Sequence, residues 1–216
     1  MPKTKPFDQY YADYENWFAI NKYAYLSELT AVRYFQPAMG SGAEIGIGSG
    51  QFSDPLGIQF GIDPSPAMLN LAKRKNLSVV RAVAENLPLK SHTFDYVLMV
   101  TTICFLDDID ASFKEAHRIL KQKGRFIIGF VDINSPLGRD YLRKKQNNVF
   151  YRWAIFYTVD EIIVHLKRNG FHLVATVQTV FGDLKSIDQV QSLRHGYGEG
   201  GFVVMNAEKS FDEEKI

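Results

Sequence analysis

From residue 43 to residue 131 the chain alternates short apolar runs with stretches whose apolar positions recur at helical spacing. The runs at 43–47, 58–62, 77–82, 94–100 and 124–131 read as strands. Near-continuous apolar runs of this kind suit strands covered on both faces. Ser65 is placed to cap a helix with Pro66 at its first position and Met68, Leu69 and Ala72 on one face, ending near Lys75. Asp110 is placed to cap another over 111–120. Strands alternating with helical runs predict an α/β fold with a doubly wound, mostly parallel sheet. The first connection is an exception, because 51–56 leaves room for little more than one helical turn.

The flanks differ. Upstream, Leu26, Leu29 and Val32 predict a helix over 24–35 within a segment crowded with rings, among them Tyr10, Tyr11, Tyr14, Trp17, Phe18, Tyr23 and Tyr25. These rings either pack against the sheet or fold over a ligand. Downstream, a polar helix-like run at 137–146 is followed by aromatic residues 149–157 that match no single amphipathic period, so 132–157 reads as an insertion. Thr158 and Glu161 form a capping box that opens a helix closed by Gly170. Strands at 171–181 and 201–207 follow, and a charged tail at 210–216 is expected to fray. One domain over 1–216 is expected, made of an N-terminal helical lid (1–40), a ligand-binding core (41–131), the inserted aromatic lid (132–157) and a C-terminal helix with strands (158–209).

Composition narrows the partners. The 25 Lys and Arg against 24 Asp and Glu give a formal net charge of +1, so no basic field draws in nucleic acid. Cys104 is the single cysteine, which rules out an intramolecular disulfide, and the N-terminal residues lack the apolar run of a signal peptide. A cytoplasmic protein, monomeric or homodimeric, without membrane or nucleic-acid partners and without a bound metal, is the expectation. No uncharged apolar segment approaches the length of a spanning helix.

The candidate chemistry centres on Glu44-x-Gly46-x-Gly48-x-Gly50. Glycines after a buried strand let the backbone turn sharply and approach a ligand. A dinucleotide fingerprint needs two residues between its second and third glycines and a following long helix, whereas only Ser49 separates Gly48 from Gly50. Asp63 ends the second run one strand over, where a carboxylate can accept hydrogen bonds from both hydroxyls of a ribose.

Those residues, with Gly61-Ile62-Asp63, Ala84 to Leu89, Phe94-Asp95-Tyr96-Val97 and Ile119 to Arg125 in register behind them, resemble a class I S-adenosylmethionine-dependent methyltransferase. The later motifs are similar to those of the small-molecule branch that includes ubiquinone, menaquinone and biotin-pathway enzymes. The resemblance implies a seven-stranded sheet whose last strand is antiparallel and lies beside the fifth. It implies S-adenosylmethionine as cofactor, with Glu44 at the methionyl ammonium, Gly46, Gly48 and Gly50 giving close backbone approach, and Asp63 at the ribose. Pro64 and Met68 offer apolar surface to the adenine, the Ala84 N–H faces a ring nitrogen, and the Val100 and Thr101 backbone borders the methionyl group. Where relatives carry an acid, this chain has Val83, so either Glu85 substitutes at the adenine amine or that bond is missing.

The acceptor side is less defined. Tyr23, Arg152, Trp153 and Tyr157 are the candidates for enclosing a small, partly apolar metabolite, Arg152 by pairing with an acidic group on it. No catalytic base is assigned; His195, in the loop before the last strand, and Thr101 are the candidates. A regulatory protein that keeps cofactor binding without transfer is the alternative, since fold does not imply function.

Overall fold

A computed structural model describes residues 4–210, so of the charged tail all but Ser210 lies outside the described residues. Three helices open the chain: α1 (Lys5–Gln9), α2 (Tyr11–Ile20) and α3 (Lys22–Phe35). The alternating part follows as β1 (Gly42–Ile45), α4 (Ser53–Leu56), β2 (Phe60–Asp63), α5 (Pro66–Arg74), β3 (Ser78–Arg81), β4 (Phe94–Val100), α6 (Ile109–Ile119) and β5 (Leu120–Val131). After α7 (Pro136–Lys144) and α8 (Val159–Arg168) come β6 (Phe171–Thr179), β7 (Arg194–His195) and β8 (Phe202–Lys209).

The sheet runs β3-β2-β1-β4-β5-β8-β6-β7. The first five strands are mutually parallel, and β8 inserts antiparallel between β5 and β6, so β6 points the same way as β5. Seven strands were expected and eight are present among the described residues. The extra one is the two-residue β7, which pairs with Val177 and Gln178 at the β6 edge.

Alternation along the central strands fills both faces. On β4, Val97 and Met99 face the cluster that holds Phe113 and Ile119 of α6 and Leu166 of α8, while Leu98 and Val100 face Val32 and Phe35 of α3. These four β4 side chains are at most 3% exposed, so the strand that carries Val100 into the site is anchored on both sides. The N-cap of α6 is Asp108, whose carboxylate accepts from Ala111 N–H at 2.9 Å, and not Asp110. Asp110 instead lies in the first turn and joins α6 to α8 through His165, Arg168 and Asn169. Strand β5 also begins earlier than expected, directly after α6, because the Thr93 N–H takes the Ile119 carbonyl at 2.7 Å and Lys121 reaches Asp95 at 2.9 Å.

The capping box at α8 forms as its residues predict: Glu161 N–H donates to Thr158 Oγ1 at 3.1 Å and Thr158 N–H to Glu161 Oε2 at 2.7 Å. This helix buries Val159, Ile162 and Leu166 in the core, so its fraying exposes apolar area. Thr158→Ala is expected to cost about 1 kcal/mol, a fall of about 2–4 °C in the thermal midpoint for a chain of this size. An unchanged midpoint would show that α8 is held by packing alone.

Candidate functional site

The chain winds outward from β1 in both directions, to β2 on one side and β4 on the other, which makes the carboxyl ends of β1 and β4 the switch point where ligands bind in such sheets. A cavity of about 760 Å³ opens there. Its floor is the glycine turn. Gly46 and Gly48 have φ of 77° and 54°, and the Gly46 and Ile47 N–H groups both donate to the Ile62 carbonyl, at 2.7 and 3.0 Å. A Cβ on Gly46 would meet Thr102 Oγ1 at 2.2 Å, so this position needs glycine for space as well as conformation.

Asp63 ties the turn to the next helix. Its Oδ2 accepts from Gly48 N–H at 2.9 Å and its Oδ1 from Ser65 N–H at 2.8 Å. A carboxylate has about four acceptor sites, so each oxygen retains capacity toward the cavity that it lines. Burial pushes its pKa up to about 6 in spite of those two donors. On the wall beyond β4, Thr101 holds φ of 50°, uncommon for a β-branched residue, with its N–H on the Gly129 carbonyl at 2.7 Å.

The N-terminal helices close over this floor through carboxylates. Asp8 on α1 accepts from Ser65 Oγ at 2.6 Å and from Ala67 N–H at 3.3 Å, over the start of α5. Glu15 on α2 accepts from Ser49 Oγ and, at 2.8 Å, from Gln51 Nε2. Rings then bridge the lid to the rest: Phe7 lies 4.9 Å from Phe105 and 5.4 Å from Phe150, and Tyr151 stacks on Tyr141 at 4.8 Å. Thus the segment before β1 and the insertion after β5 do meet over the strand ends.

Several expected residues are elsewhere. Glu44 does not line the cavity; it is 1% exposed behind the glycine turn, where Ser53 Oγ donates to it at 2.5 Å, and burial raises its pKa to about 8. Gly50 serves packing, since a Cβ there would meet Leu77 Cδ1 at 2.4 Å. Tyr23 points outward because the inward stripe of α3 runs through Ala24, Ser27, Glu28, Ala31 and Val32. Arg152 and Trp153 are exposed, as a 3₁₀ turn over Tyr151–Trp153 directs Tyr151 and Ala154 inward and leaves the two between them in solvent. His195 is exposed on the edge strand β7, with its ring 6.0 Å from Tyr34, away from the cavity. Glu85 lines the cavity but its Oε1 accepts from Asp107 and Asp108 N–H at 2.9 and 3.2 Å. Gly46, Gly48, Asp63, Pro64, Met68, Ala84, Val100, Thr101 and Tyr157 all line the cavity.

Of the upstream rings expected either to pack on the sheet or to fold over a ligand, Tyr14, Trp17 and Phe18 line the cavity; they share one face of α2 at i, i+3 and i+4, with Phe7 one heptad earlier. Glu28 was missed: a carboxylate 4% exposed, on the core-facing stripe of α3, its pKa raised to about 8 by burial. Its signal was a charge at a position where the helical period calls for an apolar residue. The Tyr14 hydroxyl, held well above the ordinary phenol range by burial and by the charges of Glu44, Asp63, Glu15 and Glu28, stays a proton donor. Among the described residues no helix is long and apolar enough to cross a membrane, and no cluster of three or more His, Cys, Asp or Glu is placed to hold a metal.

Comparison with known proteins agrees with this geometry. A methyltransferase-domain family profile matches residues 43–128. An uncharacterised protein of Methanocaldococcus jannaschii is 40% identical over 203 residues, which is 94% of this chain and 98% of that protein. The ubiquinone/menaquinone biosynthesis C-methyltransferase of Rickettsia typhi is 31% identical over 124 residues, 53% of this chain and 48% of that enzyme. A crystal structure of an S-adenosylmethionine-dependent methyltransferase of Thermotoga maritima, described as a possible histamine N-methyltransferase, is 43% identical and superposes with a TM-score of 0.94 over 96% of this chain and 100% of that one. With that identity over nearly its whole length and with its glycine turn and Asp63 at the switch point, the chain belongs to the S-adenosylmethionine-dependent methyltransferases.

Proposed function

We propose that the protein transfers the methyl group of S-adenosylmethionine to a small, partly apolar metabolite enclosed between the N-terminal helices and the insertion after β5. The observation that carries this reading is the continuity of the cavity: from Asp63 and Gly48 it runs without a break to a chamber walled by Phe7, Tyr14, Phe150, Tyr151 and Phe156. A volume of about 760 Å³ falls within the usual range for ligand pockets, and the walls at the chamber end are largely aromatic carbon.

The cofactor supplies an electrophilic methyl on a sulfonium, so the residues need only bind, orient and exclude water. In this reading the spare lone pairs of Asp63 take the ribose hydroxyls, and Gly46 and Gly48 admit the backbone close to the methionyl portion. Pro64, Met68, Val83 and Ala84 flank the adenine. Glu85 Oε1 accepts from the Asp107 and Asp108 N–H groups, which leaves Oε2 with acceptor capacity for the adenine amine. The rings shut out water, and the clamps from Asp8 and Glu15 must release for exchange, since they close the lid over the floor. The role given above to Glu44 passes to the interior: it braces Ser53 and the short helix α4 beneath the turn.

Two outcomes are expected. Titration calorimetry should show S-adenosylmethionine and S-adenosylhomocysteine binding in the micromolar range, with nicotinamide dinucleotides not binding. Asp63→Ala should weaken both cofactor forms by about 1.5–3 kcal/mol, the range for hydrogen bonds to a charged group. Equal or tighter binding of a dinucleotide, or an unchanged affinity in a folded Asp63 variant, contradicts the assignment. The buried carboxylates also predict a pH dependence. Asp63, Glu28 and Glu44 have folded pKa values near 6, 8 and 8, above their ordinary carboxylate values, so between about pH 4 and pH 8 the folded state binds more protons than the unfolded one. Stability is fullest below the ordinary carboxylate pKa and falls as pH rises through those folded values. Thermal melts of the unliganded protein should drop from pH 5 to pH 8. A melting temperature that rises over that window would show that these groups are ionised without penalty.

A further inference from the structure

The chamber contains a polar group that the fold does not answer. Glu28 lines the cavity and is 4% exposed, and among the described residues its oxygens have no hydrogen-bond donor and no cation within pairing distance. Burial is the sole cause of its raised pKa, with no donor offsetting it. Contrast Glu44, equally buried but held by Ser53. An unpaired carboxylate in an apolar interior is costly, and an apolar residue would complete the stripe of Ala24, Ala31 and Val32 at less expense.

The surroundings say what could answer it. The charge of Glu28 helps to raise the phenols of Tyr14, Tyr141 and Tyr151, the last two belonging to the insertion, so it stands at the chamber end of the cavity. Of the cations that line the cavity, Arg143 and Lys144 are engaged by Asp140 at 3.1 and 2.5 Å, and Lys185 makes no ion pair with Glu28. A buried carboxylate among ring faces suits a positively charged nitrogen, which gains from the carboxylate and from the π-faces together; an alcohol or a carboxylate acceptor gains neither.

We propose that Glu28 binds the methyl acceptor through an amine nitrogen, so that the substrate class is a small organic amine. This rests on the methyl-transfer reading above and adds the acceptor atom to it. An ammonium arriving beside Glu28 gives its proton to the carboxylate, which frees the nitrogen lone pair. The N–C bond then forms as the sulfonium S–C bond breaks, leaving a neutral thioether, a methylated ammonium and a protonated Glu28. Charge and atoms balance without any further reagent.

The test uses the full chain loaded with S-adenosylhomocysteine and two probes of one shape, phenethylamine and phenethyl alcohol, titrated calorimetrically into wild type, Glu28→Gln and Glu28→Asp. The amine is expected to bind wild type at least about tenfold more tightly than the alcohol, and Glu28→Gln to weaken it by about tenfold to a hundredfold while the alcohol is unaffected. Partial recovery in Glu28→Asp, with S-adenosylhomocysteine affinity within about twofold throughout, would complete the case. Equal binding of the two probes to wild type, no detectable binding of the amine, or an amine affinity indifferent to Glu28→Gln overturns the proposal and leaves the methyl-transfer reading standing. Loss of S-adenosylhomocysteine affinity in Glu28→Gln also overturns it, by assigning the carboxylate to the cofactor's own ammonium. Failure of S-adenosylhomocysteine to bind wild type would instead remove the underlying reading. Thermal melts identify a misfolded variant.

Discussion

The site depends on one carboxylate placed where two chain reversals meet. Asp63 ends β2, and its two oxygens fasten the Gly48 N–H of the turn after β1 and the Ser65 N–H at the start of α5. Without it the turn keeps the Ile62 carbonyl, which accepts from Gly46 and Ile47 N–H, and the Thr102 Oγ1 bond to the Gly46 carbonyl at 3.4 Å. The same carboxylate is held partly desolvated, with its pKa near 6, so it is poised to accept further donors from a ligand. The sheet geometry follows from burial on both faces of β4. The functional geometry follows from this pair of bonds.

Around that anchor the protein has collected acidic groups, Asp8 and Glu15 half-buried and Glu28 and Glu44 buried. Asp8 and Glu15 tie the N-terminal helices to α5 and to the glycine turn, Glu44 braces the turn from behind, and among the described residues Glu28 is left without a partner. Burial of a carboxylate is unfavourable in an empty protein and favourable in one that binds a cationic ligand, because Asp63 and Glu28, the two of these acids that line the cavity, gain an electrostatic partner on binding. The S-adenosylmethionine sulfonium and ammonium and an amine acceptor are all ligands of this kind. Stability and function are therefore coupled through the same burial.

The strand and helix order was legible because the alternating apolar runs match a sheet covered on both faces, and the residues at the switch point were legible because Gly46, Gly48 and Asp63 sit at fixed places relative to β1 and β2. The chamber was not, for reasons particular to each residue. Trp153 was a natural candidate by size, yet a 3₁₀ turn leaves it 60% exposed and brings in Tyr151 instead, and no periodicity signals that turn. His195 belongs to a loop whose last residues join the sheet edge as β7, a tertiary pairing invisible to local pattern. Tyr14 and Glu28 did carry a signal, the first in the i, i+3, i+4 face of α2 and the second as a charge on an otherwise apolar stripe. Glu44 lies where the motif puts it, in β1, but its side chain is buried on Ser53 and does not line the cavity, which local pattern does not signal.

On the reading proposed here, the cofactor lies across the glycine turn with its ribose on Asp63. The most direct measurement is a crystal structure of the protein with S-adenosylhomocysteine. The account predicts both ribose hydroxyls within hydrogen-bonding distance of the Asp63 carboxylate and the thioether sulfur directed toward the chamber walled by Tyr14 and Tyr151. A ribose held by another side chain, or a sulfur directed away from that chamber, would contradict it.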